Sequence, residues 1–355
     1  MRKTKNRLFM KLPALLSLIT CSCLMADPAP NPPSSTPTGY TKPSGFTLAD
    51  RPWDVHITTN FTYWEAIQDN MELGIISVPA APPLLMNGSF INDNVEYKPG
   101  FQVELGFNTN YDGWDTALTY TWYKSTHNTS ASIDTSSSDV IYASWLSPIT
   151  SISFQSASES WKLQMNIVDW VLGRSSSFGQ KLLLRPFLGM RAALIDQHAS
   201  AEYYNVAAAQ TSFYKGKSES WALGPEVGIK AEWKLGAGFR LYSDVEADIL
   251  YTRYTSLDLQ EGRTLAGVTS IRRQVDQHNL SSLRPHCDLE LGFKWGTYFA
   301  DHTAHIDLAL GYGFQIFWSQ NMFRKFVDDT ATASSFSPNG DLYLQGLTAS
   351  VRFDF

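Results

Sequence analysis

Residues 239–251 read Phe-Arg-Leu-Tyr-Ser-Asp-Val-Glu-Ala-Asp-Ile-Leu-Tyr. Phe239, Leu241, Val245, Ala247, Ile249 and Tyr251 fall on one face, and Arg240, Tyr242, Asp244, Glu246 and Asp248 on the other. A period of two is the signature of a β-strand. Just upstream, Gly236-Ala237-Gly238 supplies a turn, and the stretch before it alternates in the same way. Trp221, Leu223, Pro225, Val227, Ile229, Ala231 and Trp233 are interleaved with Gly224, Glu226, Gly228, Lys230 and Glu232. Each arm of this hairpin runs well past the five or six residues usual in soluble sheets. A long strand that is apolar on one side and charged on the other separates lipid from a polar lumen in a transmembrane barrel. A soluble sandwich burying its apolar face on a second sheet is the competing reading.

The same pattern recurs outward from this hairpin. Phe101, Val103, Leu105 and Phe107 alternate with polar partners, turn at Tyr111-Asp112-Gly113, and continue as Trp114, Thr116, Leu118, Tyr120 and Trp122. A further pair spans about 161–172 and 181–196. Another covers about 281–318, with Leu283, Pro285, Cys287, Leu289, Leu291, Phe293 and Trp295 opposite Arg284, His286, Asp288, Glu290 and Lys294. Short links near 110–113, 173–180, 234–238 and 296–302 alternate with long polar links near 77–98, 124–160, 197–218, 255–280 and 319–340. Short periplasmic turns and long extracellular loops are the arrangement of an outer-membrane barrel. The fold expected is therefore all-β, an antiparallel transmembrane β-barrel of 10–12 strands over residues 51–355. Twelve is preferred if Val140–Ala143 and Ile152–Phe154 form an additional hairpin. Trp114, Trp161 and Trp221 at strand starts, and Trp233, Trp295 and Trp318 at strand ends, are expected to form interfacial girdles.

The N-terminal segment fits this setting. Arg2, Lys3, Lys5, Arg7 and Lys11 precede an apolar stretch from Leu12 to Ile19, and Ala26 precedes Asp27, so residues 1–26 read as a cleaved secretory signal peptide. Leu18-Ile19-Thr20-Cys21 loosely matches a lipid-attachment box, which leaves a lipoprotein as the alternative. Residues 27–50, with Pro28, Pro30, Pro32, Pro33, Pro37 and Pro43, read as a periplasmic leader. Without residues 1–26, 23 basic residues face 34 acidic ones, a balance of −11, which argues against nucleic acid as a partner. Only Cys287 remains of three cysteines, so an internal disulfide is excluded, leaving a solitary thiol or an intermolecular bridge.

The alternation puts Glu104, Asp115, Glu226, Glu232, Asp244, Glu246, Asp248, Asp288, Glu290, Asp307 and Asp354 in the lumen. It sets Lys162, Arg185, Arg191, Lys230, Arg240, Arg284, Lys294 and Arg352 against them. An acidic excess along a pore favours cations. The opposing reading is a barrel filled with ion pairs that conducts nothing. Asp301, His302 and His305 lie close in sequence, but His302 and His305 point to opposite faces of a strand, so no metal site, and no cofactor, is expected. No Gly-x-Ser-x-Gly elbow and no Ser/His/acid grouping occurs, so no catalytic residue and no enzyme activity is expected.

The C-terminal residues Leu347, Ala349, Val351, Phe353 and Phe355 share a face, which resembles the terminal signal read by the barrel assembly machinery, with Phe353 and Phe355 as its aromatic members. A narrower resemblance is carried by Trp53-Asp54-Val55, Phe61-Thr62-Tyr63-Trp64-Glu65-Ala66, Lys98-Pro99-Gly100-Phe101, Tyr111-Asp112-Gly113-Trp114-Asp115, Leu184 to Arg191, Leu223-Gly224-Pro225, Leu283-Arg284-Pro285 and Leu344-Gln345-Gly346-Leu347 to Phe355. In order and spacing these segments resemble the Legionella-type major outer membrane proteins and the MOMP-like porins of environmental chlamydiae. The resemblance implies a bacterial outer-membrane barrel, acting as a porin for small polar solutes or as an abundant surface protein, with no catalytic residues to carry over. Partners expected are outer-membrane lipid, the assembly machinery and small polar solutes, with further copies of the chain as an open alternative. The rival function is a structural or adhesive surface barrel with little conduction.

Overall fold

The computed structural model describes residues 54–78, 88–109, 113–134, 137–147, 153–299, 304–326, 335–337 and 339–354. The expected signal peptide and leader lie outside the described residues, as do Tyr111, Asp112, Asp301, His302 and Phe355. No helix among the described residues is long and apolar enough to cross a membrane.

Ten strands form one closed antiparallel cylinder. They are β1 (Asp54–Gln68), β4 (Tyr97–Asn108), β5 (Trp114–Ser132), β7 (Ser156–Arg174), β9 (Leu182–Asn205), β10 (Gln210–Gly236), β11 (Phe239–Leu265), β13 (Leu280–Phe299), β14 (Ala304–Phe317) and β17 (Leu342–Asp354). Each pairs with its neighbour in this order; β1 pairs β17, and β9 pairs β10, so no edge is left open. Closure gives every strand a partner on both sides, which is the condition for unhydrated backbone in hydrocarbon. At the tight β10–β11 turn, Gly236, Ala237 and Gly238 have φ of +122°, +52° and +83°, a left-handed run that favours glycine at its ends. Two further strands extend the sheet without entering the cylinder: β8 (Ser176–Phe178) pairs β9, and β12 (Val268–Gln277) pairs the upper part of β11.

The side-chain pattern changes solvent partway up the wall. On β9, Leu188, Met190 and Leu194 face outward and are 57, 39 and 52 % exposed, while Arg185 and Arg191 face in. Beyond Leu194 the pattern inverts: Ile195, Ala199, Ala201 and Tyr203 face in and are buried, whereas Asp196, His198 and Glu202 face out. β7 does the same, with Val168 and Trp170 outward beside inward Asp169, then inward Trp161, Leu163, Met165 and Ile167 beside outward Lys162, Gln164 and Asn166. The lower wall is therefore greasy outside and charged inside. The upper wall is polar outside and greasy inside, like an ordinary water-soluble sheet.

That greasy interior is filled. β2 (Gly74–Ser77), β3 (Gly88–Ile91) and β6 (Val140–Ala143) form a small antiparallel sheet in the order β3-β2-β6. Met71, Leu73, Ile141, Trp145 and Leu146 from this region join Trp64, Tyr123, Trp161, Tyr203, Tyr214 and Leu344 of the barrel in one buried cluster. Tyr203 Oη donates to the Leu73 carbonyl at 2.5 Å, and the Trp145 and Tyr214 rings lie 4.7 Å apart. A second contribution comes from the segment after β14, where Phe323 lies 6.2 Å from the Trp145 ring. The two-residue strands β15 (Lys325–Phe326) and β16 (Ser335–Phe336) pair nearby in sequence.

Three details differ from the sequence reading. Val140–Ala143 and Phe154 do not add a barrel hairpin: β6 pairs β2, and Phe154 makes an isolated bridge to Ile141, so ten strands close the cylinder. The links expected at 197–218 and 255–280 are mostly strand, because β9, β10 and β11 continue above the lipid after their hydrophobic phase has turned over. Trp161 is fully buried in the interior rather than placed in a girdle, whereas Trp233 is 53 % exposed at the outside of the opposite rim.

The lower wall carries a direct test. Leu188 sits midway along the apolar outer row of β9, so Leu188→Arg should destabilise the folded barrel in lipid by about 2–4 kcal/mol. Reversible urea unfolding in vesicles measures this, and a loss below about 1 kcal/mol would place Leu188 outside the hydrocarbon.

Candidate functional site

Inward positions of the lower wall meet in the centre of the barrel. Arg191 on β9 is the node: Nε donates to Asp169 Oδ1 at 2.6 Å, Nη1 to Asp248 Oδ2 at 2.7 Å, and Nη2 to Glu226 Oε1 and Glu246 Oε2 at 3.0 and 2.9 Å. His286 Nδ1 lies 2.7 Å from the same Asp248 oxygen. Four carboxylates thus converge on one guanidinium, whose planar fork of donors can serve several acceptors at once. Asp288 and Glu290 border the same region, and Tyr242 Oη donates to Glu290 Oε1 at 2.6 Å. Glycine makes room here, since a Cβ at Gly311 would collide with the Tyr242 hydroxyl.

A second ion-pair tier lies nearer the periplasmic rim. Lys294 donates to Glu232 at 2.6 Å, Lys230 lies 3.4 Å from Asp244, Arg240 binds Asp307, and Arg185 binds Asp115. His56 Nε2 lies 3.2 Å from Glu104 Oε1, and Arg352 Nη2 lies 2.8 Å from Asp354 Oδ1. Two cavities, of about 160 and 110 Å³, remain between these groups. Spaces of this size hold a few ordered waters.

All but one of the sequence-derived lumen charges face inward. Arg284 does so at a higher level, with its guanidinium 5.8 Å from the Tyr254 ring and Nη2 3.2 Å from Met322 Sδ. Lys162 is the exception: it faces outward, because the neighbouring Trp161 and Leu163 take the interior after the phase inverts. Asp169 is a lumen group that the sequence reading lacks, although Val168-Asp169-Trp170 carries the alternation that reveals it. His56 and His305 also face the lumen without having been expected there, because a lone histidine in a strand gives no signal of its own. Phe353 faces outward at 39 % exposure, and Cys287 lies on the lipid-facing row of β13.

His305, Asp307 and Asp354 each place one potential ligand atom within 4.8 Å of the others, all buried. Arg240 and Arg352 already neutralise the two carboxylates, so the cluster is accounted for as an ion-pair network.

One carboxyl stands apart in the extracellular extension. Glu159 lies well above Val168, the last exposed apolar residue on the outside of β7, and faces the apolar fill at 4 % exposure. Burial, with Asp93 nearby, pushes its pKa up from 4.5 to about 9. Burial likewise raises Asp93 and lowers Lys325. The folded state then binds a proton that the unfolded state releases above pH 4.5, so stability falls as pH rises from about 4.5 toward 9. Glu159→Gln should flatten that slope and raise the thermal midpoint at pH 8, as read by circular dichroism in detergent. In the lower tier, Arg191→Met should cost about 3–5 kcal/mol, because four buried carboxylates lose their common cation. Unfolding in vesicles measures it, and a near-neutral result would mean that Arg191 is not the centre of the network.

No match was found among curated proteins. Among solved structures the chain is similar to the outer membrane protease OmpT from Escherichia coli, with 9 % identity over 88 % of this chain and 100 % of that chain, at a TM-score of 0.40. It is also similar to a major outer membrane protein from Thermus thermophilus, with 9 % identity over 86 % and 100 % and a TM-score of 0.29. The toluene transporter TodX of Pseudomonas putida aligns at 7 % identity over 88 % and 92 %, with a TM-score of 0.30. The family model that describes the Legionella pneumophila major outer membrane protein precursor matches residues 48–355. The chain belongs to that family and is an outer-membrane β-barrel.

Proposed function

We propose that this protein is a non-enzymatic surface barrel of the outer membrane whose lumen is closed at rest. The observation that supports this is the buried cluster of Trp64, Tyr123, Ile141, Trp145, Trp161, Tyr203 and Tyr214, which fills the upper interior where a constitutive porin would hold water. An apolar constriction that excludes water is a barrier to ions and sugars. The affiliation with the MOMP-like porins of environmental chlamydiae, carried by the segments quoted above, is part of the same proposal.

A second reading is favoured by the lower tier. Acidic groups outnumber basic ones around Arg191 and Lys230, so passage of small polar solutes after displacement of the fill would favour cations.

Planar-bilayer recording separates the two. The intact protein should give no steady steps, whereas replacing residues 139–147 by a short Gly-Ser linker should produce cation-selective steps. Steady conductance of the intact protein, or swelling of its liposomes by small sugars, would overturn the closed resting state.

A further inference from the structure

The outside of the upper wall carries a polar groove of about 570 Å³ across β7, β9, β10, β11 and β12. On β9 the apolar outer row ends at Leu194, four residues before His198; on β10 it begins at Trp221, four residues after Lys217. With a rise of ~3.3 Å per residue and a tilt near 40°, these groups stand about 10 Å above the acyl boundary. That is just beyond the ~5–8 Å headgroup layer, at the level of a glycolipid's sugars. The groove faces sideways, continuous with the lipid-facing belt, so its nearest neighbour in the membrane is the headgroup of an outer-leaflet lipid.

The chemistry of the groove is anion-directed at one end. Lys162 pairs in register with His198, and His198 with Lys217, so two ammonium groups flank an imidazole across three adjacent strands. The same row continues from Lys217 to Asp258 on β11, so positive charge lacks a counter-charge only at its Lys162 end. Lys217 pairs with Glu219 at 2.8 Å one row below, whereas Lys162 has no ion-pair partner among the described residues. The next row outward places Ser160, Ser200 and Lys215 in register, a hydroxyl shelf with a third ammonium group. Asp258, in register with both Lys217 and Asp276, would repel phosphate and so confine it to the β7–β9 side.

We infer that this groove binds the phosphorylated sugar headgroup of an outer-leaflet glycolipid, with Lys162 and His198 on a phosphate and Ser160, Ser200 and Lys215 on the adjoining sugar. This goes beyond the closed-barrel reading and does not depend on it. The binding would hold the extended wall to the leaflet it rises from.

The test is native mass spectrometry of the folded protein in detergent with one glycolipid in two forms, its diphosphorylated lipid A–core and the same molecule after phosphatase treatment, and with phosphatidylethanolamine. The diphosphorylated form should be retained at least about tenfold better than the other two, the loss expected for charge-assisted contacts to a phosphate. Lys162→Gln/Lys215→Gln should lose most of this preference. Both lysines are exposed, and unchanged heat-modifiable mobility on a gel verifies that the variant remains folded. Equal retention of the phosphate-free glycolipid, or an undiminished preference in the folded double variant, would overturn the assignment. So would displacement of bound glycolipid by millimolar inorganic phosphate, which would indicate a simple anion site.

Discussion

The organising constraint is that single strands must serve two solvents. In hydrocarbon the backbone has no water to bond, so every N–H and C=O must be paired, and only closure does this for a sheet. That rule holds along the whole of β9 and β10, whose 24 and 27 residues keep their ladder from one rim to the far end. The side-chain rule does not hold along the same length. Where acyl chains end, apolar groups gain by moving inside and polar groups by moving out, so the faces exchange roles while the pairing register runs on. The backbone is thus continuous and the amphipathicity is not.

This exchange explains why the charges concentrate where they do. In the lower wall the exterior is reserved for Leu, Val and aromatic groups, so inward positions are the place for polar side chains. A narrow ten-stranded bore brings those side chains within contact distance of one another. Ionised groups held there need partners, and Arg191 supplies one to each of four carboxylates, with Lys230, Arg240 and Lys294 doing so further down. Removing one member would cost more than the pair itself contributes, because the remaining partner keeps its desolvation penalty. The network therefore specifies the position of each strand around the axis as well as filling it.

The barrel and its lumen were legible because the lower wall obeys a single rule over many residues: apolar out, charged in. Phe239 to Tyr251 is enough to set the phase of β11, and the register of β13 follows from Leu283 to Trp295. The upper wall was not legible by that rule. Reading Lys162 as a lumen group extended the apolar-out phase past its end, and the polar outer faces of 197–218 and 255–280 imitated loops. Val140–Ala143 has the composition of a strand, but nothing local to it distinguishes a barrel partner from a partner in the lumen; that choice is made by the apolar interior above the inversion, which exists only once the barrel has closed. The Arg191 node was visible as a set of inward charges, but not as a convergence, since its partners lie on other strands brought together only by the closed register.

The fill and the barrel depend on each other. A sheet of three four-residue strands has too little area of its own to be stable in water. It is held by the inward rings of Trp161, Tyr203 and Tyr214, and in return it keeps those rings dry. Withdrawing it would expose several large apolar side chains, each at about 1.5–3 kcal/mol, without supplying new partners. A spontaneous opening of that size would be rare against a total stability of only about 5–15 kcal/mol. In the proposed closed-barrel reading the closed lumen is the ground state of the fold, and any passage of solute would require a ligand, a voltage or a partner that stabilises the exposed rings more than the plug does.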